Sequence, residues 1–169
     1  PYQSANKLLL GELSNQTPSQ LQPSVSLIRA VAQQRSIKEA QEIAEIERAV
    51  AVSTEMHLLT MQLAKSGMKE SELVNAIQAF AGNQDCTLAY PPIITVHGQI
   101  LHNQVRSNAL KNGDMVLVDA GAETAMGYAG DLTRTFPVAA AFDSRQRALY
   151  QIVLDALEGA RAQLRPGVS

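Results

Sequence analysis

A chain of 169 residues fits one ordinary domain, or one domain with part of another. Its hydrophobic fraction of 46% supplies a real core and excludes disorder as the default, while an aromatic fraction of only 4% leaves that core to Leu, Ile, Val and Ala. Fourteen basic residues against sixteen acidic ones give a formal charge of -2 with no basic stripe, which argues against a nucleic-acid partner. No apolar run reaches the roughly 20 residues of a membrane span, so no membrane partner is expected. Cys86 is the only cysteine, so no internal disulfide can form; this fits a reducing compartment such as the cytoplasm.

Residues 1–34 are mixed. The short apolar run Leu8–Leu10 is followed by the polar, proline-bearing stretch Ser14–Ser26, a composition expected of a tail or linker. From Ser36 the pattern becomes helical, and Ser36 with Glu39 has the spacing of a capping box. Ile43, Ile46, Val50, His57, Met61 and Ala64 recur at three- and four-residue steps and predict one buried face, with a stop at Gly67. A second helix is expected from about Glu70 to Ala81, with Leu73, Val74, Ile77 and Phe80 inward and Gly82 at its end. The runs Ile93–Val96, Ile100–His102 and Met115–Ala120 read as strands, the last preceded by an Asn112-Gly113-Asp114 turn, and Tyr128–Val138 as a further strand. A third helix opens at Asp143, with Gln146 as capping partner and Leu149, Val153, Ala156, Leu157, Ala160 and Leu164 inward, and Arg165-Pro166-Gly167 ends it. Helices, several strands and a further helix make an α+β or mixed α/β unit.

Chemistry concentrates between Val118 and Asp131. If Glu123 and Gly127 close a hairpin around Thr124–Met126, Gly127 takes the left-handed position of a three-residue loop and Asp119 lies opposite Asp131. Opposite residues share a face, with Cβ atoms roughly 4.5–5.5 Å apart. Two carboxylates so placed repel, and either one is protonated or a cation lies between them. Hard divalent ions favour such oxygens, and two metals can share a bridging carboxylate. The plainer alternative is that Asp119 ends a strand and caps a turn with Gly121 while Asp131 pairs with Arg134.

The segments Asp119-Ala-Gly and Gly127-Tyr-Ala-Gly-Asp131-Leu-Thr-Arg-Thr-Phe-Pro137 resemble the core signature of aminopeptidase P and prolidase. These belong, with methionine aminopeptidase and creatinase, to the pita-bread family of metallopeptidases. Arg35-Ser-Ile-Lys38, Glu42-Ile43, Ile100-Leu-His102, Gly113-Asp114, Tyr150-Gln-Ile-Val-Leu154 and Arg165-Pro-Gly-Val-Ser169 agree in order. The likeness covers residues 35–169 and implies the first half of a pita-bread catalytic domain. Residues 1–34 would then be the tail of a preceding amino-terminal domain.

The resemblance implies that Asp119 binds one metal, that Asp131 bridges two, and that His102 is an active-site histidine touching substrate or steadying developing charge. Thr133 and Arg134 would hold Asp131 in place; His57 and His97 have no matching role and read as a half-buried helix residue and a loop residue. The activity implied is removal of the amino-terminal residue before proline, by a hydroxide held between two divalent metals. Manganese is the first choice, with cobalt or zinc as alternatives; the substrate is a proline-containing peptide, and the complete protein a homodimer. A prolidase acting on Xaa-Pro dipeptides and a non-catalytic peptide- or partner-binding module are the competing readings. By this alignment one histidine and two glutamate ligands lie beyond position 169, so these 169 residues alone are expected to be inactive and stable only with the other half. Three departures are visible: Asn103 where aminopeptidase P often has Tyr, one extra residue near Thr124–Met126, and Ala139-Ala140-Ala141 in place of a more polar turn.

Overall fold

The computed structural model of the protein describes residues 23–168. The Leu8–Leu10 run and most of the Ser14–Ser26 stretch lie outside the described residues. The described residues fall into two units, residues 23–40 and residues 41–168. In the first, α1 (Val25–Ser36) is capped by Ser24, whose hydroxyl accepts from Leu27 N at 3.3 Å. The expected capping box at Ser36 does not form. Ser36 is the last residue of α1, and its hydroxyl donates back to Ala32 O at 2.6 Å, which takes it from the following helix.

The second unit is built on α2 (Ala40–Leu63) and α3 (Glu70–Asn83), five short strands, and α4 (Ser144–Gln163). The strands are β1 (Cys86–Leu88), β2 (Ile93–Thr95), β3 (Met115–Ala120), β4 (Ala122–Thr124) and β5 (Leu132–Pro137). β2, β3 and β5 form an antiparallel sheet in that order, and β1 pairs with β4. Strict alternation along β3 sends Val116, Val118 and Ala120 into the core and leaves Met115, Leu117 and Asp119 on the other face. The core then gathers Val52 and Met56 of α2, Leu73, Val74 and Ile77 of α3, Ile94, Leu110, Phe136 and Val138.

The buried face of α2 is not the expected one. Ala49, Val52, Ser53, Met56, His57 and Thr60 are inside, whereas Ile43, Val50 and Met61 are exposed. The apolar spacing was misleading because part of the helix is in contact with backbone: the small and polar Ala49, Ser53 and His57 face a closely approaching strand beside Val52 and Met56, and Ile43, Val50 and Met61 are left outside. His57 is buried outright at 3% exposure rather than half-buried. Phe80 is half-buried, and α3 ends one residue past Gly82. Ile100–His102 forms a turn instead of a strand, and β1 and β4, too short to carry a period, had no sequence signal.

Helix α4 opens on the expected Asp143–Gln146 capping box, and Gln146 Nε2 also donates to Gly113 O at 2.9 Å. Its expected inward stripe is exposed, with Leu149, Val153, Leu157 and Leu164 all more than half uncovered. Periodicity reports an apolar face but not what covers it, and among the described residues α4 buries none of its own.

At the junction of the two sheets, Gly121 lies so close to the neighbouring segment that a Cβ would overlap the Gly130 carbonyl oxygen. Gly121→Ala should therefore destabilise the protein by about 3 kcal/mol or more in urea unfolding. Gly82→Ala, inside α3 with nothing within 4 Å of its Cβ position, should stabilise it by roughly 0.5–1 kcal/mol. Equal effects at the two positions would contradict this account of the junction.

Candidate active site

The hairpin that carries Asp131 is closed one step further along than its sequence predicts. Thr124 N donates to Tyr128 O and Gly127 N to Thr124 O, both at 2.9 Å, so the three-residue loop is Ala125-Met126-Gly127. Gly127 takes the left-handed position, at φ 79. The register places Asp119 opposite Thr133, and the Glu123–Ala129 bridge continues it. Asp131 is thus two residues from the expected partner position. A shift of two preserves the face, where a shift of one would have reversed it, so the aspartates are diagonal neighbours on the same side.

They converge on a third residue, which sequence reasoning did not single out. Tyr90 Oη lies 2.7 Å from Asp119 Oδ1 and 2.7 Å from Asp131 Oδ1. The two carboxylate oxygens are therefore no further apart than twice that distance. The backbone dictates this meeting. Leu88 pairs with Ala122, Ala89 N donates to Gly121 O at 2.9 Å, and Ile93 pairs with Asp119, which pins Tyr90 between two anchored ends. The prolines that follow, Pro91 and Pro92, restrict the segment to extended backbone. A tyrosine before two prolines in a chain so poor in aromatics was the one available signal.

A phenol has one proton to donate and can satisfy only one carboxylate at a time. Burial, and then hydrogen bonding to Asp119 and Asp131, push the Tyr90 hydroxyl well above its ordinary ionisation range, so it remains the donor. Among the described residues no basic side chain forms a salt bridge with either aspartate. Arg134 Nη1 donates instead to Thr133 O at 2.8 Å, and among the described residues neither side chain makes a direct hydrogen bond or ion pair with Asp131. Two carboxylates with no cationic partner among the described residues are donors of the kind a hard divalent ion favours. Among the described residues no third carboxylate, histidine or cysteine joins them.

Tyr90, Pro91, Ile93, His102, Gln104, Asp119 and Asp131 line one cleft of about 350 Å³. His102 is exposed and sits at φ 52, a left-handed backbone uncommon for a residue with a side chain. Its loop is braced from below. Thr95 Oγ1 receives His97 N at 3.0 Å and Asn103 Nδ2 at 3.2 Å, and Asn103 Oδ1 receives Val105 N at 3.0 Å. The departure at Asn103 is thus a structural brace. Deeper still, the fully buried Glu70 carboxylate accepts from Val96 N and from both the backbone and side-chain nitrogens of Asn108. His97 is exposed beside the loop and has no place in the cleft.

Fold and site together define a mixed helix-and-strand domain that presents paired carboxylates on one wall of a cleft. Residues 44–169 match the metallopeptidase family M24, and the chain belongs to that family. Xaa-Pro aminopeptidase of Escherichia coli is 38% identical over 144 residues, covering 82% of this chain and 32% of the relative. Its counterpart in Haemophilus influenzae is 36% identical over 143 residues, with 82% and 33% covered. The chain spans about a third of the length of these curated relatives. Among solved structures, proline aminopeptidase P II from Yersinia pestis superposes with a TM-score of 0.79 at 39% identity, over 83% of this chain and 33% of the other. Zinc-substituted Escherichia coli aminopeptidase P in complex with product gives 0.76 at 37%, over 80% and 31%. The fold is part of the pita-bread fold of these enzymes.

His57, under the site, yields a pH test. Its Nε2 donates to Ala120 O at 3.1 Å, and its buried Nδ1 has no partner. Burial is the largest cause holding its pKa below the ordinary value of 6.5. The unfolded chain takes up the proton near that value, the folded chain only at lower pH. The contribution is therefore fully present above the ordinary value and is lost as pH falls below it through the lower value of the folded chain. Urea unfolding between about pH 8 and pH 5 should show stability falling by up to about 1.4 kcal/mol per pH unit on the acid side, and His57→Gln should flatten that slope. An unchanged slope in the variant would assign it to other groups.

Proposed function

We propose that the full-length protein is a metal-dependent exopeptidase that removes the amino-terminal residue from Xaa-Pro peptides. The observation that carries this reading is the meeting of Asp119 and Asp131 on a single phenol oxygen, at the wall of a cleft, in a chain of the M24 family. In this reading Asp119 would hold one divalent ion and Asp131 would contribute to holding a pair, with manganese the first choice and cobalt or zinc the alternatives. A pair of such ions supplies an activated water as nucleophile and Lewis acidity toward the scissile carbonyl.

The chain's own residues do the rest. Tyr90 donates to the carboxylates and fixes their direction, so that they need not reorganise around a cation. His102, which lines the same cleft, donates to the substrate carbonyl as negative charge grows on it. With two carboxylates and no further ligand among the described residues, the 169 residues alone hold metal weakly and do not hydrolyse peptides. A homodimeric full-length protein, and residues 1–34 as the tail of an amino-terminal domain, belong to the same proposal.

Full-length protein should cleave a Gly-Pro-X peptide after loading with Mn2+, lose that activity to chelator, and regain it on adding metal back. Asp119→Asn and Asp131→Asn should each lower kcat/KM by at least about 10³-fold and reduce bound metal. Cleavage of Gly-Pro but not of the longer peptide would make it a dipeptidase. A folded protein that binds no metal and cleaves neither would leave a non-catalytic binding module. Tyr90→Phe keeps the ring and removes the donor, and should weaken Mn2+ binding about 10- to 100-fold; unchanged affinity would reduce Tyr90 to a spacer.

A further inference from the structure

One guanidinium ties together two stretches of chain that line the cleft. Arg106 Nη2 donates to Pro92 O at 2.9 Å and to Gln104 Oε1 at 3.1 Å. Pro92 lies between Pro91 and Ile93, which line the cleft, and Gln104 and His102 line it as well. Arg106 is itself half-buried, and its own backbone is tied down, since its carbonyl accepts from Ser71 N at 3.1 Å at the start of α3. The strut therefore has a fixed base.

This arrangement fixes the direction of an amide. A guanidinium only donates, so the Gln104 atom facing Arg106 must be the carbonyl oxygen, whichever way an amide is otherwise drawn. The NH2 group is left at the opposite end, carrying two donors in a cleft where Asp119 and Asp131 supply only acceptors. A proline residue in a peptide has no backbone N–H and offers only its carbonyl oxygen. Carboxylates cannot bind that oxygen, but an oriented amide N–H can.

We propose that Gln104 is a substrate-binding residue, its carboxamide N–H donating to a backbone carbonyl oxygen of the bound proline-containing peptide, and that Arg106 is the positioning residue that aims it. The inference rests on the peptidase reading of the same cleft. Gln104 is exposed and lies outside the core, so its replacement leaves the fold intact.

The test uses metal-loaded, full-length enzyme and a Gly-Pro-X peptide. Gln104→Ala removes the whole amide. Gln104→Glu keeps the length and the oxygen facing Arg106 but has no N–H to give. Both should raise KM about five- to tenfold with kcat within about twofold of the parent, the pattern expected when binding common to ground and transition state is lost. Arg106→Lys keeps a charge but is shorter and loses the planar Nη2 that donates to both oxygens, and should raise KM less than either. If Gln104→Glu matches the parent while Gln104→Ala does not, the residue is an anchor for Arg106 and the donor role is overturned. If the parent enzyme cleaves and both Gln104 variants keep its KM, this inference falls while the peptidase reading stands. A parent enzyme that neither binds nor cleaves the peptide overturns both.

Discussion

Two side chains of α2, Ser53 and His57, hydrogen-bond to backbone on either side of Gly121, and the position of the groups in the cleft follows from that contact. Ser53 Oγ accepts from Ala122 N at 2.9 Å while donating to Ala49 O at 2.7 Å, and His57 Nε2 donates to Ala120 O at 3.1 Å. So close an approach of helix to strand is open only to residues without bulk. A Cβ on Gly130 would fall 3.0 Å from Ala49 O, and one on Gly121 would run into Gly130. The strand is thereby held at the point where one sheet gives way to the other. Asp119 lies two residues before Gly121, and Asp131 lies one residue after Gly130.

Around that fixed point the cleft is assembled from segments that have little structure of their own. The run through Tyr90 is held by pairing at both ends, and the loop through His102 by the buried Glu70 carboxylate and by Asn103. Glu70 is fully buried, and a buried carboxylate is tolerable because its oxygens receive several N–H groups. These hydrogen bonds replace the ladder that a strand at Ile100–His102 would have provided. The result is a loop that can hold a histidine at an unusual backbone angle without regular pairing.

The electrostatic character of the cleft comes from what its members do not do. Arg134, two strand positions along from Leu132, turns to a neighbouring carbonyl, and the carboxylates are left to share a phenol proton. Were either aspartate locked in an ion pair, its oxygens would already be satisfied and a divalent ion would have to displace an arginine. Their shared dependence on Tyr90 is what connects a structural fact, convergence, to the proposed chemistry of a metal-dependent peptidase.

Local signals settled much of this. Alternation set β3 from Met115 to Ala120, the Asp143–Gln146 box set the start of α4, and the Leu73, Val74 and Ile77 spacing set the inner face of α3, because each depends on neighbours a few residues away. The pairing of Asp119 and Asp131 on one face was also legible, since it depends only on parity along a hairpin, and parity survived a register shifted by two. Tertiary structure alone decided the rest. The buried side of α2 was chosen by close backbone contact rather than by hydrophobic spacing, and the exposed stripe of α4 by the absence of a covering element among the described residues. Tyr90 reached the aspartates, and Arg106 reached the Pro92 carbonyl, through contacts between segments that no local pattern can report, because hydrogen bonds made across a fold leave no period in the sequence.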